Sequence, residues 1–219
     1  MELKGKKVTF LGDSIGDGAG ASVRENSFVE LFARAHKDCK VDNFSIGGTR
    51  IANQLSRRPN GPYWDESPYF SRVEQIDPDA DIVFIMGGTN DYGHGDAPMG
   101  KKGMVLSTNN FYGAMITTVL LIQSRCPNAQ VVIATPIHRF GEDDVAVRPD
   151  GEWTLKDYVD AEKAVAEYLS VPVLDLWSIS GIQPNIHENY VKYTSDGLHP
   201  NDLGHRKIFE CIDKFIKQF

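Results

Sequence analysis

The stretch Val8-Thr9-Phe10-Leu11-Gly12-Asp13-Ser14-Ile15-Gly16 begins with a short apolar run and breaks at Gly12 into small and polar residues. Strands half-exposed to water alternate between apolar and polar. An unbroken run bounded by glycine instead predicts a strand buried on both faces. The same pattern recurs at Val41 to Phe44, Ile82 to Met86, Val131 to Ala134 and Val173 to Leu176. Between these runs lie helical candidates: Ser27 to Ala35, opened by a Ser27-x-x-Glu30 capping box, then Asn110 to Arg125, Leu155 to Leu169 and Asp202 to Phe219. Strand and helix alternate throughout, which predicts parallel strands joined by right-handed crossovers in an open sheet with helices on both faces.

A chain of 219 residues supports one sizeable core, so a single domain over residues 1–219 is expected. With 41% hydrophobic and 24% charged residues and no internal repeat, disordered and solenoid classes drop out. The net charge of -7 argues against nucleic acid and against anionic membrane surfaces as partners, because both need clustered Lys and Arg. Cys39, Cys126 and Cys211 are widely spaced, which suggests neither a disulfide framework nor a zinc cluster. The expected setting is the cytoplasm, or outside the cell if a signal peptide has been removed before Met1. No stretch approaches transmembrane length, and nothing in the pattern specifies an oligomeric state.

Open parallel sheets bind ligands beyond the carboxyl ends of their strands, so chemistry is sought there. The first strand is followed by Gly12 to Gly16, the second by Ser45 to Arg50, the third by Gly87 to Asp91, and Asp196-Gly197-Leu198-His199-Pro200 lies well beyond the fifth. A serine hydroxyl is a weak nucleophile until a base takes its proton, and the base must itself be oriented. Asp196 and His199, three apart, supply orienter and base for Ser14 in one loop. An oxyanion needs donors, which the Ser14 and Gly48 backbone N–H groups and the Asn90 amide offer.

Gly12-Asp13-Ser14, Gly48, Gly88-Thr89-Asn90-Asp91 and Asp196 to Pro200 together resemble the ordered blocks of the SGNH hydrolases, also called GDSL esterases, with Ile15 where the family name expects leucine. The resemblance spans roughly residues 8 to 205. It implies a flavodoxin-like three-layer α/β/α sandwich with a five-stranded parallel sheet, with Ser14 as nucleophile, Ser14 N–H, Gly48 and Asn90 as oxyanion donors, Asp196 as orienting acid and His199 as base. No cofactor and no metal are expected. The expected substrate is a small-molecule or oligosaccharide ester, with short acyl chains and O-acetylated carbohydrate favoured and lysophospholipid or thioester the alternatives. Asp13, Arg50, Tyr63, Trp64 and His138 are candidate substrate contacts. Arg50, Tyr63 and Trp64 are expected to be exposed, Arg139 is expected to border the site, and Tyr69 and Phe70 could extend an aromatic wall.

Other patterns compete for the same residues. Gly12-x-Ser14-x-Gly16 also matches the nucleophile elbow of α/β-hydrolases, but that elbow sits deeper in its chain, with acid and histidine far apart. Gly16-x-Gly18-x-x-Ala21 with Asp42 imitates a dinucleotide fingerprint whose glycines start too late and whose Asp13 and Asp17 would repel a pyrophosphate. His94 with Asp96, and His199 with His205, lack a recurring metal-ligand spacing. A catalytically silent carbohydrate-binding protein would be expected to lack a triad member, and none is missing.

Overall fold

The computed structural model describes residues 3–56, 66–103 and 106–218. Its elements run β1 (Lys7–Gly12), α1 (Ser14–Asp17), α2 (Phe28–Ala35), β2 (Lys40–Asn43), β3 (Ile82–Met86), α3 (Thr89–His94), α4 (Phe111–Arg125), β4 (Gln130–Ala134), β5 (Ala146–Arg148), β6 (Gly151–Trp153), α5 (Leu155–Leu169), β7 (Val173–Leu174), α6 (Leu176–Ile179), α7 (His187–Tyr193) and α8 (Asp202–Ile216). Five strands form one all-parallel sheet in the order β2-β1-β3-β4-β7, and β5 and β6 pair as a separate antiparallel hairpin. This is the expected flavodoxin-like sandwich. The strand order reverses at β1, so a crevice opens between the carboxyl ends of β1 and β3.

The apolar runs bury because both faces of the sheet are covered. Leu11, Val83, Ile85, Val131 and Ile133 face a core completed by α4 and α5, whereas Val8, Phe10, Ile82, Phe84 and Val132 face one completed by α2 and α8. In α8, Ile208, Ile212 and Ile216 form the buried stripe, and Phe209 and Phe215 pack beside it. Helix starts follow local chemistry: the Ser27 hydroxyl accepts from Glu30 N–H, Asn110 from Gly113 N–H, and Asn201 from Leu203 and Gly204 N–H.

Three expectations about elements are corrected. Strand β2 is the sheet edge and only half-buried, because it has a single neighbouring strand. Strand β7 stops at Leu174, because the Asp175 carboxylate caps α6 and turns Leu176 into a helical residue. Asp202 to Phe219 is helical only to Ile216. Among the described residues, no helix is long and apolar enough to cross a membrane.

Candidate active site

Ser14 stands where β1 ends and α1 begins. The buried Asp13 carboxylate accepts from Ile15 N–H at 3.0 Å and fixes the turn that presents the serine. The Ser14 hydroxyl lies 3.0 Å from His199 Nε2, and His199 Nδ1 lies 2.7 Å from Asp196 Oδ2. The other oxygen of Asp196 accepts from the backbone N–H groups of Leu198 at 2.9 Å and His199 at 2.7 Å, so the loop is wound around its own carboxylate. Burial raises the Asp196 pKa, but the bonds from His199 and Leu198 outweigh it and leave the carboxyl below its ordinary value.

That loop is anchored at several points. Ser195 N–H donates to His199 O at 2.9 Å and Asn201 N–H to Tyr193 O at 3.0 Å, while Phe140 N–H reaches across to Gly197 O at 2.8 Å. Gly197 adopts φ 84°, and a Cβ there would run into the Phe140 ring. Gly20 is the close approach from the Ser14 side, since a Cβ would overlap the Pro200 carbonyl and the His199 side chain.

The candidate donors stand on segments that contact one another. One Asn90 Nδ2 hydrogen is committed to Thr49 O at 2.9 Å, which leaves the other for a ligand, and the side chain is only 6% exposed. The backbone N–H groups of Ser14, Gly47 and Gly48 have no acceptor among the described residues. Gly47 packs against Ser14, with a hypothetical Cβ 3.6 Å from Ser14 Cβ, and Gly48 takes φ 79°. Together these groups offer a proton-accepting chain on one hydroxyl and a set of unspent donors on the neighbouring strand ends, equipment suited to acyl transfer.

Supporting residues escaped the sequence reading. Asp91 accepts from Ile51 and Ala52 N–H at 3.0 and 2.9 Å, tying the Asn90 block to the Gly48 block; burial still pushes its carboxyl up to about 6. Buried Arg72 donates to Gly12 O at 3.1 Å, to Phe44 O and to Thr49 Oγ1 at 3.0 Å, joining the ends of β1 and β2. Glu162 packs from α5 against Gly88, where a Cβ would stand 2.5 Å from Oε1, and neither carboxyl oxygen has a hydrogen-bond partner among the described residues. A lone acid in a helical pattern gives no sign of this.

The remaining candidates fall elsewhere. Arg50 is buried at 3% exposure with Nη1 2.8 Å from His94 Nδ1, which corrects the expectation that it lies on the surface. Asp13 is buried as a cap, and burial pushes its carboxyl up to about 6. His138 forms a satisfied pair with Glu142 at 2.9 Å, under the Trp177 ring. Tyr69 is core, its hydroxyl on Met86 O at 2.7 Å, so it forms no aromatic wall. Phe70 lines a separate groove with Leu121. Tyr63 and Trp64 lie outside the described residues. His205 is buried with Nε2 on Ala19 O at 3.1 Å, and the Asp96 carboxylate binds Leu55 and Ser56 N–H, so both are occupied within the chain.

The family model described as GDSL-like lipase/acylhydrolase matches residues 10–207. The chain belongs to this family. Among solved structures, a protein from Lactobacillus plantarum is 27% identical with TM-score 0.82, covering 99% of each chain. A candidate GDSL-like lipase from Bacteroides ovatus ATCC 8483 is 18% identical with TM-score 0.70, covering 100% of each chain. The acetyl xylan esterase AlAXEase is 22% identical with TM-score 0.66, over 96% of this chain and 99% of its own. The last two show likeness of fold alone. Among curated proteins, no sequence matches this GDSL-like chain.

Proposed function

We propose that the chain is a serine esterase that hydrolyses short-chain acyl esters, with O-acetylated carbohydrate as the favoured substrate. The observation that carries the proposal is the unbroken contact from Ser14 Oγ through the His199 ring to Asp196, at 3.0 and 2.7 Å. His199 Nε2 takes the hydroxyl proton as Oγ attacks the ester carbonyl. Gly48 N–H, Ser14 N–H and the free Asn90 N–H receive the oxyanion. Collapse breaks the ester C–O bond, and His199 returns the proton to the departing alcohol. Water then attacks the acyl-serine, giving its proton to His199, and the acid leaves as Ser14 recovers a proton.

Preference for a hydroxyl-rich alcohol is supported by the open cleft beside α3, about 290 Å³, which has Tyr92, Arg139, Asp144 and Arg148 in its walls and is tied to the site through the Arg139–Thr89 and Phe140–Gly197 bonds. Such a lining suits polar groups better than an alkyl tail. Two measurements test the proposal. Ser14→Ala should lower turnover of 4-nitrophenyl acetate by several orders of magnitude; near wild-type rates would refute Ser14 as nucleophile. A series of 4-nitrophenyl esters from acetate to octanoate should show kcat/KM falling with length. A preference for octanoate would move the substrate to lysophospholipids or long-chain thioesters.

A further inference from the structure

The cleft beside α3 contains an imbalance of charge that the ester chemistry leaves unused. Arg139 is half-buried where the chain leaves β4. Its Nη1 bonds Thr89 Oγ1 at 3.2 Å and its Nε the Phe140 carbonyl at 3.3 Å, while the guanidinium lies 5.7 Å from the centre of the Tyr92 ring. Nη2 has no acceptor among the described residues. Arg148 faces the same cleft with four of its five N–H donors engaged: Nε on Tyr158 Oη at 3.3 Å, Nη1 on Val147 O at 3.0 Å, and Nη2 on the Asp91 and Tyr92 carbonyls at 2.9 and 2.5 Å.

Among the described residues, no carboxylate stands within 4.0 Å of either guanidinium. Glu142 spends its carboxylate on His138, Gln183, Asn185 and the Arg139 backbone N–H. Asp144 lines the cleft but is exposed and solvated. A guanidinium taken partly out of water without a carboxylate in contact is held at a cost: burial lowers the Arg139 pKa and outweighs Asp196, Asp13 and Glu142, which act on it only from a distance. A ligand carboxylate would offset that cost and match the planar fork of arginine.

Position links the cleft to the reaction. Thr89, held by Arg139, precedes Asn90, and Phe140, the next residue after Arg139, bonds Gly197 inside the Asp196–His199 loop. We propose that this cleft is a subsite for a carboxylate carried by the ester substrate, with Arg139 making the contact through Nη2 and Arg148 adding a fixed positive charge. The subsite deepens the esterase proposal and rests on it. The carboxylate could belong to the acyl part or to the alcohol, and both meet the same guanidinium.

Matched pairs of esters distinguish the two sources. On the acyl side, mono-4-nitrophenyl glutarate is compared with 4-nitrophenyl valerate; on the alcohol side, 3-carboxyphenyl acetate is compared with 3-carbamoylphenyl acetate, each corrected for spontaneous hydrolysis. In the wild type, kcat/KM for the charged member of at least one pair should exceed that of its neutral partner by about tenfold. Arg139→Gln should erase most of that ratio, Arg139→Lys should retain part of it, and added salt should shrink it in the wild type. A neutral preference in both pairs, or a ratio unmoved by salt and by Arg139→Gln, overturns the subsite. Turnover of the neutral esters reads the esterase separately, so its loss in the wild type would refute the reaction and the subsite with it.

Discussion

Three carboxyl groups, Asp13, Asp91 and Glu162, lie buried around the residues that carry the candidate chemistry. Glu162 is fully buried, and burial, then the nearby charges of Asp91 and Asp13, raises its pKa well above the ordinary value. In the unfolded chain this group loses its proton above about pH 4.3, whereas the folded chain keeps it. The stability it contributes is therefore full below that pH and is lost as pH rises towards the raised folded value. Glu162→Gln removes that loss: its melting temperature relative to wild type should climb by about 2–4 °C or more between pH 4.5 and pH 8, as thermal melts would show. A gap equal at both pH values would mean that Glu162 does not hold its proton. For Asn90→Ala, ester turnover should fall by about 10²–10³ with the fold retained, because one oxyanion donor is removed. Side-chain contacts were legible where the motif is contiguous, as in Asp196 to His199. They were hidden where partners come from far along the chain: Arg50, Arg72 and Glu162 bury their polar ends on segments that no local pattern connects to them.

Elements were legible in proportion to their apolar periodicity. Strands β1, β3 and β4 announce themselves because helices cover both their faces, and helices α4 and α5 because each buries one face against the sheet. The β5–β6 hairpin and α7 did not, since their residues are largely half-exposed or exposed and show no apolar period. The same holds for the short 3-10 helix Tyr69–Gln75, which carries Arg72. At this scale Asn201 matters most for the site, because one side chain caps α8 and also donates to Lys192 O at 3.1 Å and Thr194 O at 3.3 Å beside the His199 loop. Asn201→Ala should cost about 1–2 kcal/mol of stability, measurable as a lowered midpoint in urea. An unchanged midpoint would show that the cap is dispensable.

For the whole molecule, the parallel sheet and its strand order bring segments some 185 residues apart in sequence to one hydroxyl, as the Ser14–His199 contact records. Ser14 follows β1 and Asn90 follows β3, so the candidate nucleophile and a candidate oxyanion donor both lie at the crevice where the order reverses. That placement follows from topology, and the blocks that hold Ser14 and Asn90 reveal it because each sits just beyond a strand. The central claim is that His199 and Asp196 make Ser14 a nucleophile. Labelling by a fluorophosphonate probe, mapped by peptide mass spectrometry, reads this directly, because an unactivated serine does not react. The label should sit on Ser14 in the wild type and vanish in His199→Ala. A wild-type chain left unlabelled, or one labelled at another residue, would contradict the account.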